Sequence, residues 1–292
     1  SQIPAIPTEK TCNRTGYQTF YDFISLQSFI SNNPKIASVG VVPTMGALHV
    51  GHLSLIDKAL EENDLVVVTI FVNPKQFNNP VDLKNYPRVP ENDLSLLSKY
   101  ERVAVCMPEV IDVYPDVDPY NKVSLGLLDI VLEGEYRPGH FAGVAHVVHN
   151  LIYFIKAQRA YFGLKDIQQL SVIRRMVSET KLPVKVVPCQ TVRDKSGMAL
   201  SSRNLLLSQH DYRDAAIIFK TLDFVRQKIK EERAEDVKKK AIELFNSGTL
   251  QLEYLEFVNQ HSFEPYKTGD DDGACCIAAY CDGVRLIDNV LL

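Results

Sequence analysis

The stretch Ser38-Val39-Gly40-Val41-Val42-Pro43-Thr44-Met45-Gly46-Ala47-Leu48-His49-Val50-Gly51-His52 decides the fold. Ser38–Val42 reads as a strand, the residues around Gly46 as a turn, and Gly51 to Glu62 as a helix. A strand–turn–helix junction of this kind is where an α/β fold binds phosphates, because the first helical N–H groups are unpaired and the helix dipole favours an anion. Gly46 and Gly51 are expected to let the backbone approach a ligand closely. His49 and His52 are three residues apart, so both rings can lie on one side of the first turn. Two imidazoles there can donate to phosphate oxygens and stabilise charge that develops in phosphoryl or nucleotidyl transfer. Incidental helix-start histidines, or two ligands of a metal, are the alternatives; the strand–turn–helix setting favours nucleotide.

Outward from this junction, strands and helices alternate. Leu65–Val72 (LVVVTIFV) is a continuous apolar run, as expected of a strand covered on both faces of a parallel sheet. A helix near Glu91–Tyr100, a strand at Arg102–Met107, a helix at Val144–Lys156, a strand at Ala160–Gly163, a helix at Asp166–Lys181 and a strand at Val184–Val192 follow. This alternation predicts βαβ units, that is, a Rossmann-like doubly wound parallel sheet. After Val192 the texture changes. Ser208 and Asp211 form a helix start, and Tyr212, Ala215, Phe219, Leu222, Val225 and Ile229 recur at helical spacing. A charged helix over Arg233–Phe245 and strands at Tyr254–Val258, Ala274–Cys281 and Arg285–Leu291 complete a smaller α+β unit. The expected division is 1–192 and 193–292.

The bulk properties exclude several classes. The 292 residues are 46% hydrophobic and 23% charged, with a net charge of −4, which describes a globular chain without the usual charge of a nucleic-acid binder. The apolar runs are too short to span a bilayer. SQIPAIPTEK has neither a basic nor an apolar signal region, so a cytoplasmic protein is expected. Cys12, Cys106, Cys189, Cys275, Cys276 and Cys281 form no C-x-x-C pair and read as buried, reduced thiols. Neither G-x-x-x-x-G-K-[ST] nor G-x-G-x-x-G occurs, which removes the P-loop and the usual dinucleotide fingerprint.

Four further segments carry candidate chemistry. In Phe71-Val72-Asn73-Pro74-Lys75-Gln76-Phe77, Asn73 and Gln76 stand beyond a strand end and should face the crevice, where neutral amides suit a substrate with hydroxyls and a carboxylate. In Arg137-Pro138-Gly139-His140-Phe141, Arg137 can clamp a phosphate or carboxylate. His146 and His149, among apolar residues with no acidic third ligand nearby, are expected to pack. In Gly163-Leu164-Lys165-Asp166-Ile167-Gln168-Gln169, Asp166 fits an N-cap, Lys165 supplies a point charge and Gln169 turns inward. The loop from Arg193 to Asn204 sits at the unit junction, and Ser201, Ser202 and Arg203 offer donors for phosphate oxygens beneath a closing lid.

Taken together, PTMGALHVGH, FVNPKQF, YPR (Tyr86–Arg88), RPGHF, KDIQQL, ALSSRN and the closing RLIDN (Arg285–Asn289) resemble the pantoate–β-alanine ligase family. PTMGALHVGH is similar to the H-I-G-H motif of the nucleotidyltransferases and class I aminoacyl-tRNA synthetases. The resemblance implies a ligase that joins pantoate to β-alanine through a pantoyl adenylate, consuming ATP with Mg²⁺. It implies ATP contacts from Met45, Gly46, His49, Gly51, His52, Gly163, Lys165, Asp166, Val192, Leu200, Ser201, Ser202 and Arg203. Among these His52, His49, Lys165, Ser201, Ser202 and Arg203 would carry the chemistry, through hydrogen-bonding or cationic roles. Gln76, Gln169, Asn73 and Arg137 would hold pantoate or β-alanine. Asp93 is a weak Mg²⁺ candidate, and the metal site is otherwise unassigned. A homodimer through the first domain is also implied, with no membrane or nucleic-acid partner. The chain departs from the bacterial pattern at Leu164, where an acidic residue would precede the lysine. A nucleotidyltransferase acting on another small acid or phosphate, and a relative that has lost catalysis, are the competing readings.

Overall fold

The computed structural model describes residues 17–292, so Cys12 and the SQIPAIPTEK segment lie outside the described residues. The strands β1 (Tyr17–Phe20), β2 (Val39–Thr44), β3 (Leu65–Ile70), β4 (Val103–Cys106), β5 (Arg159–Gly163) and β6 (Lys185–Cys189) form one sheet in the order β1-β4-β3-β2-β5-β6. All neighbours pair in parallel. The apolar runs of β2 and β3 feed two cores. Val41 and Val67 enter the cluster beneath the helices Phe23–Ser31 and His140–Ile155. Val42, Val66 and Val68 enter the cluster beneath the helix Val50–Glu62. The chain builds outward from β2 through β3 and β4, then crosses back to place β5 on the other side of β2. Strand order therefore reverses between β2 and β5, which is where an open α/β sheet holds its ligand. Pairing between these two strands stops at Gly40↔Arg159 and Val41↔Ala160, although β2 continues to Thr44 and β5 to Gly163. Their carboxyl ends diverge and open a crevice.

The second unit is an antiparallel sheet of β7 (Gln251–Asn259), β8 (Gly273–Cys281) and β9 (Val284–Leu291), with the helices Ile217–Lys228 and Ala234–Asn246. Period-two alternation in β8 splits its side chains between two cores. Cys275, Ile277, Ala279 and Cys281 pack with Leu222, Val225, Val237 and Phe245. Ala274, Cys276 and Ala278 pack into the cluster that holds the helix His140–Ile155. The small sheet is thus buried on both faces. The observed architecture is the expected α/β sheet with a smaller α+β unit.

Local differences have local causes. The expected helix through Tyr212–Ile229 divides into Gln209–Asp214 and Ile217–Lys228. Tight bonds from Ala216 N to Arg213 O and from Ile218 N to Ala215 O turn the chain between them. The long helix starts at His140 rather than Val144, because Gly139 at φ 78° supplies the turn into it. β1 and the helix Phe23–Ser31, capped by Asp22 accepting from Ser25 N at 2.7 Å, carry too few signals to be read in sequence. The five described cysteines are free and buried. No helix among the described residues is long and apolar enough to cross a membrane.

Candidate active site

The turn after β2 is held from beneath. Gly46 and Ala47 both take positive φ, 80° and 49°. Thr44 Oγ1 donates to Thr69 O at 2.7 Å and accepts Gly46 N at 3.1 Å. Asp93 accepts Ala47 N at 3.0 Å and Leu48 N at 2.8 Å, one with each carboxylate oxygen, and is 1% exposed. Through those bonds Asp93 fixes the shape of the turn.

His49 is the N-cap of the helix Val50–Glu62, and its Nδ1 accepts Gly51 N at 3.0 Å. His52 Nδ1 accepts His49 N at 3.2 Å, so the two imidazoles form a reciprocal capping box. Their centroids are 4.1 Å apart. A Cβ on Gly51 would lie 2.6 Å from His49 Cε1, so Gly51 makes room for the His49 ring. An Nδ1 that accepts an N–H carries no proton, so each neutral ring keeps its proton on Nε2. Burial, with Lys165 nearby, lowers His49 to about 4. Burial, with His49 as neighbour, lowers His52 to about 3. Both rings are therefore neutral near neutral pH in this structure, each with an Nε2–H left to donate.

The amides beyond β3 divide their work. Asn73 is 1% exposed, and its Nδ2 donates to Gln76 Oε1 at 3.0 Å and Gly143 O at 3.2 Å. Its Oδ1 accepts Lys75 N at 3.2 Å and Tyr114 Oη–H at 2.6 Å. Its side chain is thus saturated within the protein, with one of its bonds holding Gln76 Oε1. Gln76 presents an Nε2 that no hydrogen bond among the described residues engages. Its backbone carbonyl accepts His140 Nδ1–H at 2.8 Å. His146 also departs from expectation: its Nε2 lies 2.6 Å from Asp118 Oδ2, so an acidic partner is present, while His149 Nδ1 bonds Asn150 Oδ1 at 2.8 Å.

Charged groups converge from the remaining segments. Lys165 Nζ is 3.6 Å from Asp166 Oδ1. Asp166 occupies the N-cap position of the helix Ile167–Thr180 without a side-chain cap bond, which corrects the capping expectation and leaves the carboxylate facing Lys165. Gln169, half-buried, engages no hydrogen bond among the described residues, whereas its neighbour Gln168 is spent on Leu128 O and Val131 O at 2.9 and 2.8 Å. Arg137 approaches Glu133 at 4.0 Å, and none of its guanidinium nitrogens is within hydrogen-bond distance of an acceptor among the described residues. Burial, opposed by the pull of Glu133 and reinforced by the repulsion of Arg203 and Arg285, lowers its pKa from the ordinary arginine value. In the loop from Arg193 to Asn204, Leu200 N bonds Val192 O at 3.0 Å, Ser201 Oγ caps Arg203 N at 3.2 Å and Ser202 Oγ donates to Ala47 O at 3.1 Å. Arg203 reaches Asp82 at 3.3 Å. The loop therefore already rests on the histidine turn.

Two groups escaped the sequence reading. Glu133 accepts Arg285 with both oxygens at 2.6 Å and Tyr254 Oη–H at 2.7 Å. Asp288 pairs with Arg193 at 2.6 and 2.9 Å. These partners are 95 to 152 residues apart, and no local pattern announces them. For a metal, no group of three or more His, Cys, Asp or Glu stands together among the described residues. Such a donor set is compatible with Mg²⁺ as an ion carried on phosphate oxygens.

A doubly wound sheet whose switch point carries a reciprocal histidine cap, the unengaged Gln76 Nε2 and Gln169 amide, and converging cations defines an α/β enzyme of the H-x-G-H, nucleotide-using type. Residues 18–291 match the sequence model of pantoate-beta-alanine ligase. A pantothenate synthetase of Cytophaga hutchinsonii is 46% identical over 265 residues, covering 88% of this chain and 93% of its own. One from Porphyromonas gingivalis is 43% identical, covering 94% and 98%. The solved pantothenate synthetase of Thermus thermophilus superposes with a TM-score of 0.87 at 37% identity, covering 94% of this chain and 99% of that one. The pantoate-beta-alanine ligase of Francisella tularensis, solved with beta-gamma ATP and beta-alanine, gives 0.76 at 35% identity, with 94% and 97% covered. The chain belongs to the pantoate–β-alanine ligase family.

Proposed function

We propose that this chain joins pantoate to β-alanine in an ATP-dependent ligation that proceeds through pantoyl adenylate. The pantoate carboxylate oxygen attacks the α-phosphorus of ATP, the bond to the β-phosphate oxygen breaks, and pyrophosphate leaves. The β-alanine amine then attacks the acyl carbon, the C–O bond to phosphate breaks, AMP leaves with the electron pair, and the nitrogen gives up a proton to solvent. Transfer at phosphorus needs alignment and charge stabilisation more than a nucleophilic side chain. The observation that carries this reading is the fixed Nε2–H tautomer of His49 and His52, which aims two neutral donors from a helix N-terminus at the switch point. Lys165 and Arg203 add positive charge for the triphosphate, and the lid residues Val192, Leu200, Ser201 and Ser202 enclose it. Met45, Gly46, Gly51, Gly163 and Asp166 complete the nucleotide side, with Mg²⁺ arriving on ATP.

Gln76, through Nε2, and Gln169 bind pantoate. Arg137 binds a carboxylate, and Asn73 acts as the positioning residue behind Gln76. We assign residues 1–192 to the catalytic unit and 193–292 to the unit that closes it. A cytoplasmic homodimer is part of this proposal; exposed Val110, Ile111 and Val117 give the first unit an apolar surface for a second copy. The test is pyrophosphate release from the purified protein with ATP and Mg²⁺. Release that requires pantoate, with AMP and pantothenate appearing only after β-alanine, supports the reading. Release indifferent to pantoate identifies a nucleotidyltransferase instead, and no release identifies a silent relative.

A further inference from the structure

We infer that β9 is a positioning strap: Arg285, Asp288 and Asn289 hold three separate site segments in register, so the last strand of the chain builds the active site as well as covering it. The inference rests on the functional reading above. β9 is the edge strand of the small sheet, and it runs against the turns Leu164–Asp166 and Ser202–Leu206. Each polar side chain of the strap is tied to a different segment.

Asn289, 6% exposed, donates its Nδ2 hydrogens to Leu164 O at 2.9 Å and Lys165 O at 2.7 Å. Two successive carbonyls fixed in this way set the peptide planes that aim Lys165. The contact is made to backbone, so Leu164 satisfies it as well as an acidic residue would. Asp288, 5% exposed, pairs with Arg193 through both oxygens, and Arg193 also donates to Gly197 O at 3.0 Å and Asn289 O at 3.1 Å. That pair anchors the first residue of the lid loop, with the guanidinium 4.6 Å over the Phe219 ring. Arg285 donates to both oxygens of Glu133 and to Glu253 Oε2 at 2.8 Å. Glu133 is thereby saturated by Arg285 and Tyr254, and Arg137, one helical turn away at 4.0 Å, keeps its donors for a ligand. Residues 285 and 289 lie on one face of the strand, about 13 Å apart at strand rise, and Asp288 lies on the other. One rigid strand thus spans the pantoate side and the nucleotide side.

Separate ties predict separable kinetics. Asn289→Asp keeps the size of the side chain and turns its donors into acceptors facing two carbonyls. It should raise the KM for ATP about tenfold or more and leave the KM for pantoate within about twofold, on the scale of an ångström-sized misplacement. Arg285→Lys loses the two-pronged contact and should do the reverse, raising the KM for pantoate. Asp288→Asn should raise the KM for ATP, and the neutral pair Arg193→Gln with Asp288→Asn should restore part of the loss. Thermal melting run alongside separates these effects from unfolding; where Asn289→Asp fails to fold, Asn289→Ser replaces it. Folded variants that leave both KM values unchanged, or that shift both together, overturn the strap, as does failure of every substitution to fold. A wild-type protein that releases no pantoate-dependent pyrophosphate overturns the functional reading instead.

Discussion

His52 Nδ1 accepts the backbone N–H of His49 at 3.2 Å, and that single bond decides what kind of acid–base group the site contains. It leaves the His52 proton on Nε2 and makes the ring a neutral donor placed by the helix start. The same geometry makes His52 part of the local structure, so removing it has two consequences.

His52→Ala should lower the rate of pantoate-dependent pyrophosphate release by about a hundredfold or more, the scale for loss of one transition-state donor. It should also destabilise the helix start by about 1 kcal/mol, as the loss of a cap does. Single-turnover kinetics and a denaturant midpoint measure the two effects; near-normal adenylation contradicts the role assigned to the ring.

The pH response follows from burial. His49 and His140 are held at about 4 and His52 at about 3 in the folded chain, below the ordinary histidine value near 6.5. The unfolded chain therefore takes up protons first as pH falls. The stability contributed by these neutral rings is complete above about pH 6.5 and is lost as pH drops toward their folded values. Melting temperature should decline steadily below that point, while ring nitrogen shifts of His49 and His52 stay constant from pH 8 to pH 5. A ring titration near 6.5 in either residue contradicts the capping geometry.

Asp93→Ala strips the acceptor from two N–H groups in a turn that holds Ala47 at φ 49°. Each buried donor left unpaired costs about 1–3 kcal/mol, so a fall in stability of at least that size is expected in urea unfolding. The KM for ATP should rise with it. Asp93→Asn, which still offers one acceptor, should fall between the two.

Gln169→Ala should raise the KM for pantoate more than the KM for ATP, because its amide is half-buried and engages no protein group among the described residues. Gln168→Ala should act differently. Its amide bonds Leu128 O, Val131 O and Glu133 N, so stability should drop first. Steady-state kinetics paired with melting curves resolve the two.

What the sequence made legible was local. The apolar run Leu65–Val72 states a buried parallel strand, which the structure keeps over Leu65–Ile70, and the junction through His52 states a strand, turn and helix within a few residues, which it also keeps. The surroundings of Asn73 were hidden, because strand-end position predicts exposure to the crevice, while its partners Tyr114 and Gly143 arrive from 41 and 70 residues away. The turn bonds of Asp93 were hidden for the same reason, since the N–H groups it holds lie 45 and 46 residues before it. The β9 contacts are longer still, and periodicity carries no information about them. The split of the helix after Asp214 was hidden because the apolar spacing continues across the turn.

The attack of pantoate on the α-phosphorus is tested most directly by isotope transfer. Pantoate labelled with ¹⁸O in both carboxylate oxygens, incubated with ATP, Mg²⁺, β-alanine and enzyme, should yield AMP carrying one ¹⁸O and unlabelled pyrophosphate. Label that appears in pyrophosphate or inorganic phosphate, or AMP without label, would contradict the adenylate route.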